Sequence, residues 1–451
     1  MGNVEGFLSR CAEAREAVAR MRGPLVVHHY DCDGITSGAI VAGSLEKMGK
    51  PYRMQSVRKI DPEFLATISH APEIIFVDLG SGTAEIDSLP GSVVVMDHHQ
   101  QKSNAHLQAN PHAFGFDGGT DISAAGCAYF VFQEFVELGI VGAIGDVQAP
   151  LRGLNSIMLG RAVAQGAISV EKDILLFGRN SRPLKQFLQY ADEPYLPGVT
   201  GQDDACNALL HELGIMQRQE GAASGSSQGE SEGGGKWRTY SDLSFSERRA
   251  LVSSLAGLLA MRSSPDAANR LVGDTYNLLR MPQGTLLRDA SEFSTLLNAC
   301  GRNDRPELGV SVCLKREGAY EEAQSLLAEH RKNLRAGIDF ASKNTEDIGK
   351  FLLLDARGVI PDSIIGVVAG MLFAGSRKKP ILALSLEAPG RIKLSTRGTR
   401  ALVESGLNLG KILSECCAQV GGAGGGHNIA AGASIPEEKL DDFLKEFVGR
   451  L

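Results

Sequence analysis

The sequence predicts an α/β protein in three parts: a parallel-sheet domain, a mostly helical middle, and a smaller α/β domain at the end. Three observations predict it. Short apolar runs alternate with helical stretches in the first third. Helical periodicity takes over from roughly Leu175 to Asp339, and strand-like runs return after it. At 451 residues the chain is also too long for one ordinary domain, since domains run to ~150 residues.

Leu25–Asp31 (LVVHHYD) is a short apolar run, and ITSGAIVAGSLEKMG behind it reads as a helix closed by Gly49. Glu73–Gly80 (EIIFVDLG) and Ser92–His99 (SVVVMDHH) are two further buried-strand candidates. Each of the three runs leads into an aspartate: Asp31, Asp78 or Asp97. Parallel α/β sheets bind ligands beyond the carboxyl ends of their strands, so the sheet would bring these carboxylates to one rim. In the middle, NALLHELGI and ERRALVSSLAGLLAMR carry the clearest helical pattern. Between them, Glu220–Lys236 is rich in Gly, Ser and Glu, cannot build a core, and reads as a flexible surface loop. KFLLLDA, PILALSLE and RIKLSTR read as strands, Pro361–Gly375 as a helix, and GGAGGGHNIAAG as a glycine-dense loop. Ser434 reads as the cap of a last helix with Pro436 in its first turn. The domain bounds that follow are 1–175, 176–340 (with the loop 220–236) and 341–451.

Lys and Arg number 46 against 53 Asp and Glu, a net charge of −7. That excludes a globally basic nucleic-acid coat and leaves room for a local basic groove. The eight cysteines form no CxxC pair, which disfavours a zinc knuckle and suits reduced thiols. MGNVEGFLSR lacks the apolar core of a signal peptide, and the longest apolar stretch, Ile364–Gly375, is too short to cross a bilayer. A soluble, cytoplasmic protein without a membrane partner is expected.

Four segments hold the polar residues that such a sheet would bury: His29-Tyr30-Asp31-Cys32-Asp33-Gly34, Asp78, Asp97-His98-His99, and Gly145-Asp146. A single Asp after a strand is ordinarily a turn or cap residue. Several in order at consecutive strand ends are different, because burying unneutralised carboxylates is costly and burying them together makes sense around cations. Oxygen donors with imidazole suit Mn²⁺ or Mg²⁺ better than Zn²⁺ where no thiolate joins them. Two such ions ~3.5–4 Å apart hold a phosphate, activate water and stabilise the leaving oxygen, which is the hydrolysis of a phosphate ester.

These segments resemble, in order, the motifs of the DHH phosphoesterase superfamily, and GGAGGGHNIAAG is similar to the GGGH motif of its DHHA1 domain. LLNACGR (Leu296–Arg302) is similar to the NAxGR segment of RecJ-type nucleases. Together they resemble the archaeal RecJ-like proteins, a group that includes the GINS-associated nuclease and is related to Cdc45. The resemblance implies a DHH domain, a middle insertion domain, and a DHHA1 domain facing it across a cleft. It implies that His29, Asp31 and Asp78 hold one Mn²⁺ (or Mg²⁺) and that Asp33, Asp78, His98 and Asp146 hold another, with Asp78 bridging. His28 competes with its neighbour His29 for the ligand position. Asp97, His98 and His99 would carry catalysis, Asp97 by orienting a histidine and His99 by touching the scissile phosphate. Arg302, Ser395, Arg397, Gly425, Gly426 and His427 would bind the strand, with Arg391, Lys393 and Arg400 adding positive charge.

The activity implied is a single-strand exonuclease of DNA replication and repair, 5′→3′ on DNA, with RNA as the other candidate strand. One alternative is a non-catalytic or dual-role Cdc45-like scaffold that binds GINS and the replicative helicase through the middle domain. The other is a nanoRNase or similar small-nucleotide phosphodiesterase of the superfamily. Scaffolds of the first kind lose motif residues that this chain keeps, and chain length with NACGR disfavours the second.

Overall fold

Strands buried on both faces need apolar residues throughout, and the first sheet is made of such runs. In a computed structural model that describes residues 2–191, 194–218, 236–263, 265–372 and 378–451, helix α1 (Val4–Arg20) leads into β1 (Leu25–His29). Then come α2 (Cys32–Lys47), β2 (Arg53–Val57), α3 (Pro62–Ile68), β3 (Glu73–Val77), β4 (Ser92–Met96) and β5 (Leu107–Ala109). The spatial order is β2-β1-β3-β4-β5, and every neighbouring pair is parallel. The strand order reverses between β1 and β3. A doubly wound sheet opens a crevice at such a switch point, beyond the carboxyl ends of the strands. Helices α4 (Ala124–Phe132) and α5 (Val136–Gly145) are apolar nearly all round and buried, as a helix without a polar face must be. They close on α2, which is itself buried from Cys32 to Leu45, and α6 (Gly153–Ala164) follows.

The middle is helical, as its periodicity indicates, but it is bracketed by a two-stranded antiparallel ribbon that the periodicity does not indicate. The ribbon pairs β6 (Ile168–Ile174) with the later β7 (Val272–Leu278), and between them run α7 (Leu184–Gln189), α8 (Asp203–Glu212), α9 (Phe245–Arg262) and α10 (Pro265–Asn269). α9 opens on a reciprocal capping box, Ser244 with Glu247. Leu184, Phe187, Leu210, Leu251, Leu255 and Leu259 form a core of their own here. The Gly/Ser/Glu segment expected to be a loop lies, apart from Lys236, outside the described residues. After β7, α11 (Ala290–Arg302) and α12 (Pro306–Cys313) pack back on α2 and the first sheet domain.

Two compact units result, Met1–Gln324 and Ser325–Leu451, and α13 (Ala319–Asn344) carries the chain from one into the other. In the second unit come β8 (Thr345–Asp347), β9 (Leu352–Asp355), α14 (Asp362–Leu372), β10 (Ile381–Ala388), β11 (Arg391–Arg397), α15 (Arg400–Glu404) and α16 (Leu409–Val420). β12 (Ala423–Gly426), β13 (Ala430–Pro436) and α17 (Leu440–Arg450) finish it, and the mixed sheet has the order β12-β13-β11-β10-β9-β8. Two local expectations are corrected. The glycine-dense segment is not all loop: Ala423–Gly426 pairs with β13 as an edge strand. Ser434 does not cap a helix. It lies within β13, its hydroxyl bonds Glu387 and Arg391, and α17 starts later, at Leu440. No helix among the described residues is long and apolar enough to cross a membrane.

Candidate metal centre

The switch point collects the polar residues. His29 ends β1, and Asp31 caps α2 with its Oδ1 accepting from the Gly34 amide at 3.1 Å. Asp33 sits in the first turn of α2, Asp78 directly follows β3, Asp97-His98-His99 follow β4, and Asp146 ends α5. His29 Nδ1 stands 3.1 Å from Asp31 Oδ1 and 3.3 Å from Asp78 Oδ2. The other oxygen of Asp78 is 3.3 Å from His98 Nε2, and the His98 ring also faces Asp33 at 3.9 Å and Asp146 at 3.7 Å. Asp78 is thus shared between two neighbourhoods. In each triad, His29–Asp31–Asp78 and Asp33–His98–Asp146, the donor atoms lie within 4.8 Å of one another. Asp78 holds its place with a left-handed backbone, φ 61°, a conformation that costs a non-glycine residue about 1 kcal/mol or more and gathers at functional sites.

The electrostatics fit a cation. Histidines face these carboxylates in the ion pairs of the centre. Burial opposes charge on His29, yet Asp31 and Asp78 hold its imidazolium up at about 11. Burial opposes it on His98 too, and Asp78, Asp33 and Asp146 keep that imidazolium well above its usual value. Burial, with the charge of Asp78 behind it, pushes the Asp33 carboxyl well up, even though the Ala124 and Ala125 amides at the start of α4 donate to it at 2.7 and 2.9 Å. Burial likewise raises Asp146. So many buried acids demand positive charge, and two divalent cations would answer that demand with the oxygen and imidazole donors that Mn²⁺ and Mg²⁺ accept.

Around the triads sits a shell that fixes them. Asp97 is fully buried: Ser81 N donates to its Oδ2 at 2.9 Å, and His98 N (2.8 Å), His99 N (3.2 Å) and His99 Nδ1 (2.7 Å) all point at its Oδ1. Both oxygens are thus engaged by the turn and by Ser81, and Asp97 also forms a third group with Asp78, His98 and His99 whose donor atoms lie within 4.8 Å of one another. Burial would raise its carboxyl, but these bonds, led by His99, hold it at about 2. The bond to Asp97 raises His99 in turn, and that ring stays half exposed. His98 Nδ1 lies 2.7 Å from the Gly118 carbonyl, which fixes Nε2 toward Asp78. No side chain fits at Gly118, where a Cβ would come within 1.7 Å of the His98 carbonyl oxygen. Gln148 Nε2 donates to the same Gly118 carbonyl (2.8 Å) and to Asp146 Oδ2 (2.7 Å), and Asn110 Nδ2 holds the His99 carbonyl at 2.9 Å. Gly118, Gln148, Ser81 and Asn110 escape a reading of the sequence. Only Gln148, two residues from Asp146, offered a signal. Burial sets His28 apart from His29. The His28 ring packs on Gly38, its Nδ1 bonds the His29 carbonyl at 2.7 Å, and burial lowers it to about 4, a neutral core residue.

Three family models account for most of the chain. The N-terminal domain of the DHH family matches residues 25–148, the DHH-CID domain residues 176–272, and the DHHA1 domain residues 349–451. The chain belongs to the DHH superfamily, whose N-terminal, DHH-CID and DHHA1 domains it carries in order. It is similar to an uncharacterized protein of Methanocaldococcus jannaschii, 28% identical over 439 residues that cover 93% of this chain and 91% of that one. Its fold is shared with RecJ of Thermus thermophilus in complex with Mn²⁺, at 17% identity and a TM-score of 0.58, over 98% of this chain and 54% of that one. The chain thus spans about half the length of that RecJ. CDC45 of Entamoeba histolytica shares the fold at 13% identity and a TM-score of 0.63, with 98% of both chains covered.

The strand-binding residues suggested by the sequence are placed less uniformly than the acids of the DHH domain. Arg302 ends α11, in the first compact unit, and is half-buried. In the DHHA1 domain Ser395 is buried on β11. The Arg397 guanidinium lies against Gly366 of α14 and donates to the Thr396 carbonyl at 2.8 Å. On the edge strand, Gly425 has open space where a side chain would be, and His427 is exposed just beyond it. Of the expected basic residues, Arg391 is bonded to Ser434 and Lys393 stands 3.9 Å from Asp362.

Proposed function

We propose that this protein is a metal-dependent exonuclease that removes nucleotides from the ends of single strands, 5′→3′ on DNA. The observation that carries the reading is Asp78, whose two oxygens face two separate clusters of buried acids and imidazoles. A scaffold with no catalytic duty has no use for that arrangement, because buried carboxylates without cations destabilise a fold. The RecJ structures of the same fold, described with Mn²⁺ and with Mg²⁺, support the choice of ion.

In this reading His29, Asp31 and Asp78 hold one cation, and Asp33, Asp78, His98 and Asp146 the other. When bound, the pair supplies Lewis-acid activation of the phosphate and of the attacking water. Asp97 keeps the His98–His99 turn rigid. His99, whose imidazole the bond to Asp97 raises, contacts the scissile phosphate. Water adds to phosphorus, the P–O3′ bond breaks, and the departing 3′ oxygen takes up a proton. Arg302, Ser395, Arg397, Gly425, Gly426 and His427 hold the strand. The likeness to CDC45 over nearly the full length favours a second, compatible role, in which the middle domain binds GINS and the replicative helicase.

The test is incubation with Mn²⁺ and single-stranded DNA or RNA labelled at either end, beside the double variant Asp97→Ala/His98→Ala. Metal-dependent release of mononucleotides from the 5′ end, absent in the variant, is expected. No cleavage of any strand by folded, metal-loaded protein overturns the nuclease reading. Release from the 3′ end alone overturns the polarity.

A further inference from the structure

The first four N–H groups of a helix have no partner within it. At α2 this matters more than usual, because the residues that begin the helix are also candidate ligands. Asp31, the cap, serves the Gly34 amide, and Ile35 N reaches the Asp31 carbonyl at 2.8 Å. The amide of Cys32 joins neither bond. It donates instead to the side-chain oxygen of Asn298, at 3.0 Å and across 266 residues of sequence.

Asn298 lies on α11, and the same helix makes a second contact one turn later. At Gly301 a Cβ would stand 1.9 Å from the Tyr30 carbonyl oxygen, so only glycine lets the helix come this close. The backbone is therefore held on both sides of Asp31, at the Tyr30 carbonyl before it and at the Cys32 amide after it. The far end of α11 is pinned as well. Asp289 caps it, accepting from the Ser291 and Glu292 amides at 2.9 and 3.1 Å, and is itself paired with the buried Arg179. A helix fixed at its start offers a firm support at its end.

We propose that Asn298 is a positioning residue for the metal centre: by holding the Cys32 amide it fixes the Asp31–Asp33 turn in the geometry that receives a divalent cation. An amide suits the task. It accepts a hydrogen bond as a carboxylate does, without adding a further negative charge beside Asp31, Asp33 and Asp78. The inference rests on the metal reading above and extends it to a residue outside either triad.

The experiment measures Mn²⁺ binding to the full-length protein by titration calorimetry, with metal-dependent strand cleavage in parallel. Asn298→Ala is expected to remain folded and to bind Mn²⁺ about 10- to 100-fold more weakly, the usual cost of losing a group that orients ligands. At saturating Mn²⁺ its KM for the strand stays unchanged. Asn298→Asp restores the acceptor and is expected to recover Mn²⁺ affinity to within a few-fold of the parent. Should the alanine variant fail to fold, Asn298→Leu, of similar size and without an acceptor, takes its place with the same expectation. Parent-like Mn²⁺ affinity in the alanine or leucine variant overturns the inference and leaves the metal reading standing. A raised strand KM with unchanged Mn²⁺ affinity overturns it too, by making Asn298 a strand contact. A parent chain that binds no Mn²⁺ overturns the metal reading and this inference with it.

Discussion

Asp97→Asn changes one atom of a fully buried side chain, so its effect can be worked out from the bonds around it. The parent carboxylate receives three donors on Oδ1 and one on Oδ2. In the best orientation of the amide, its oxygen keeps the three donors from His98 and His99. Its NH₂ then faces the Ser81 N–H, donor against donor. Leaving that buried pair unsatisfied costs about 1–3 kcal/mol, and exchanging an ionic acceptor for a neutral one at His99 costs about 1 kcal/mol more. The expected loss of stability is therefore about 2–4 kcal/mol. The depressed carboxyl agrees: an acid held at about 2 instead of 3.8 contributes roughly 2 kcal/mol, present above pH ~4 and lost as pH falls toward 2. Function should suffer as well. His99 loses the partner that raises it, so activity that needs the imidazolium should fade at lower pH than in the parent. Mn²⁺ affinity should drop ~10- to 100-fold as the His98 turn loosens. Urea unfolding at pH 7 without metal, a Mn²⁺ titration and a pH–rate profile read these out. A variant within 0.5 kcal/mol of the parent, with the same Mn²⁺ affinity, would show that Asp97 does not order the turn.

Further outcomes can be checked. Burial, helped by the charge of Asp289, raises Glu292 to about 7, so the folded chain keeps a proton that the unfolded chain releases near pH 4.5. Stability contributed by Glu292 therefore falls as pH rises from ~4.5 to ~7, by roughly 3 kcal/mol in all. Glu292→Gln should be the more stable protein at pH 8, and parallel unfolding curves for the two chains from pH 5 to 8 would refute the assignment. Gly118→Ala should push the His98 carbonyl away and break the Gly118–His98 bond, lowering Mn²⁺ affinity at least ~10-fold; calorimetry decides it, and parent affinity counts against the role given to Gly118. His427→Ala, at an exposed site, should raise strand KM with kcat and stability nearly unchanged, and steady-state kinetics that show only a fallen kcat would contradict a strand-holding role.

How far the sequence carries the structure depends on where each signal resides. β1, β3 and β4 are built on runs of apolar residues, as strands covered on both faces must be, and an aspartate follows each within two residues. That is why the acids of the centre were legible. β6 and β7 mix charged and apolar residues in a ribbon whose pairing spans about a hundred residues, so nothing local announces them. β12 consists of one alanine and three glycines with no strand preference; its pairing with β13 makes it a strand. Ser434 carries a helix-cap signature, and the sheet register overrides it. Ser81 and Gly118 bond residues 16 and 20 positions away, which no periodicity encodes, and Asn298, although inside the LLNACGR segment, bonds Cys32 across 266 residues. Positions of the candidate ligands follow from strand and helix ends. The groups that bond those candidates follow from tertiary packing.

The central claim is that Asp78 joins two cation sites. The direct measurement is anomalous diffraction from crystals soaked in Mn²⁺, for the parent chain and for Asp78→Asn. The account predicts two ions per chain ~3.5–4 Å apart, one beside His29 and Asp31 and one beside Asp33, His98 and Asp146, with occupancy lost at one or both in the variant. Ions absent from these residues in the parent chain, or a pair that persists unchanged in Asp78→Asn, would contradict it.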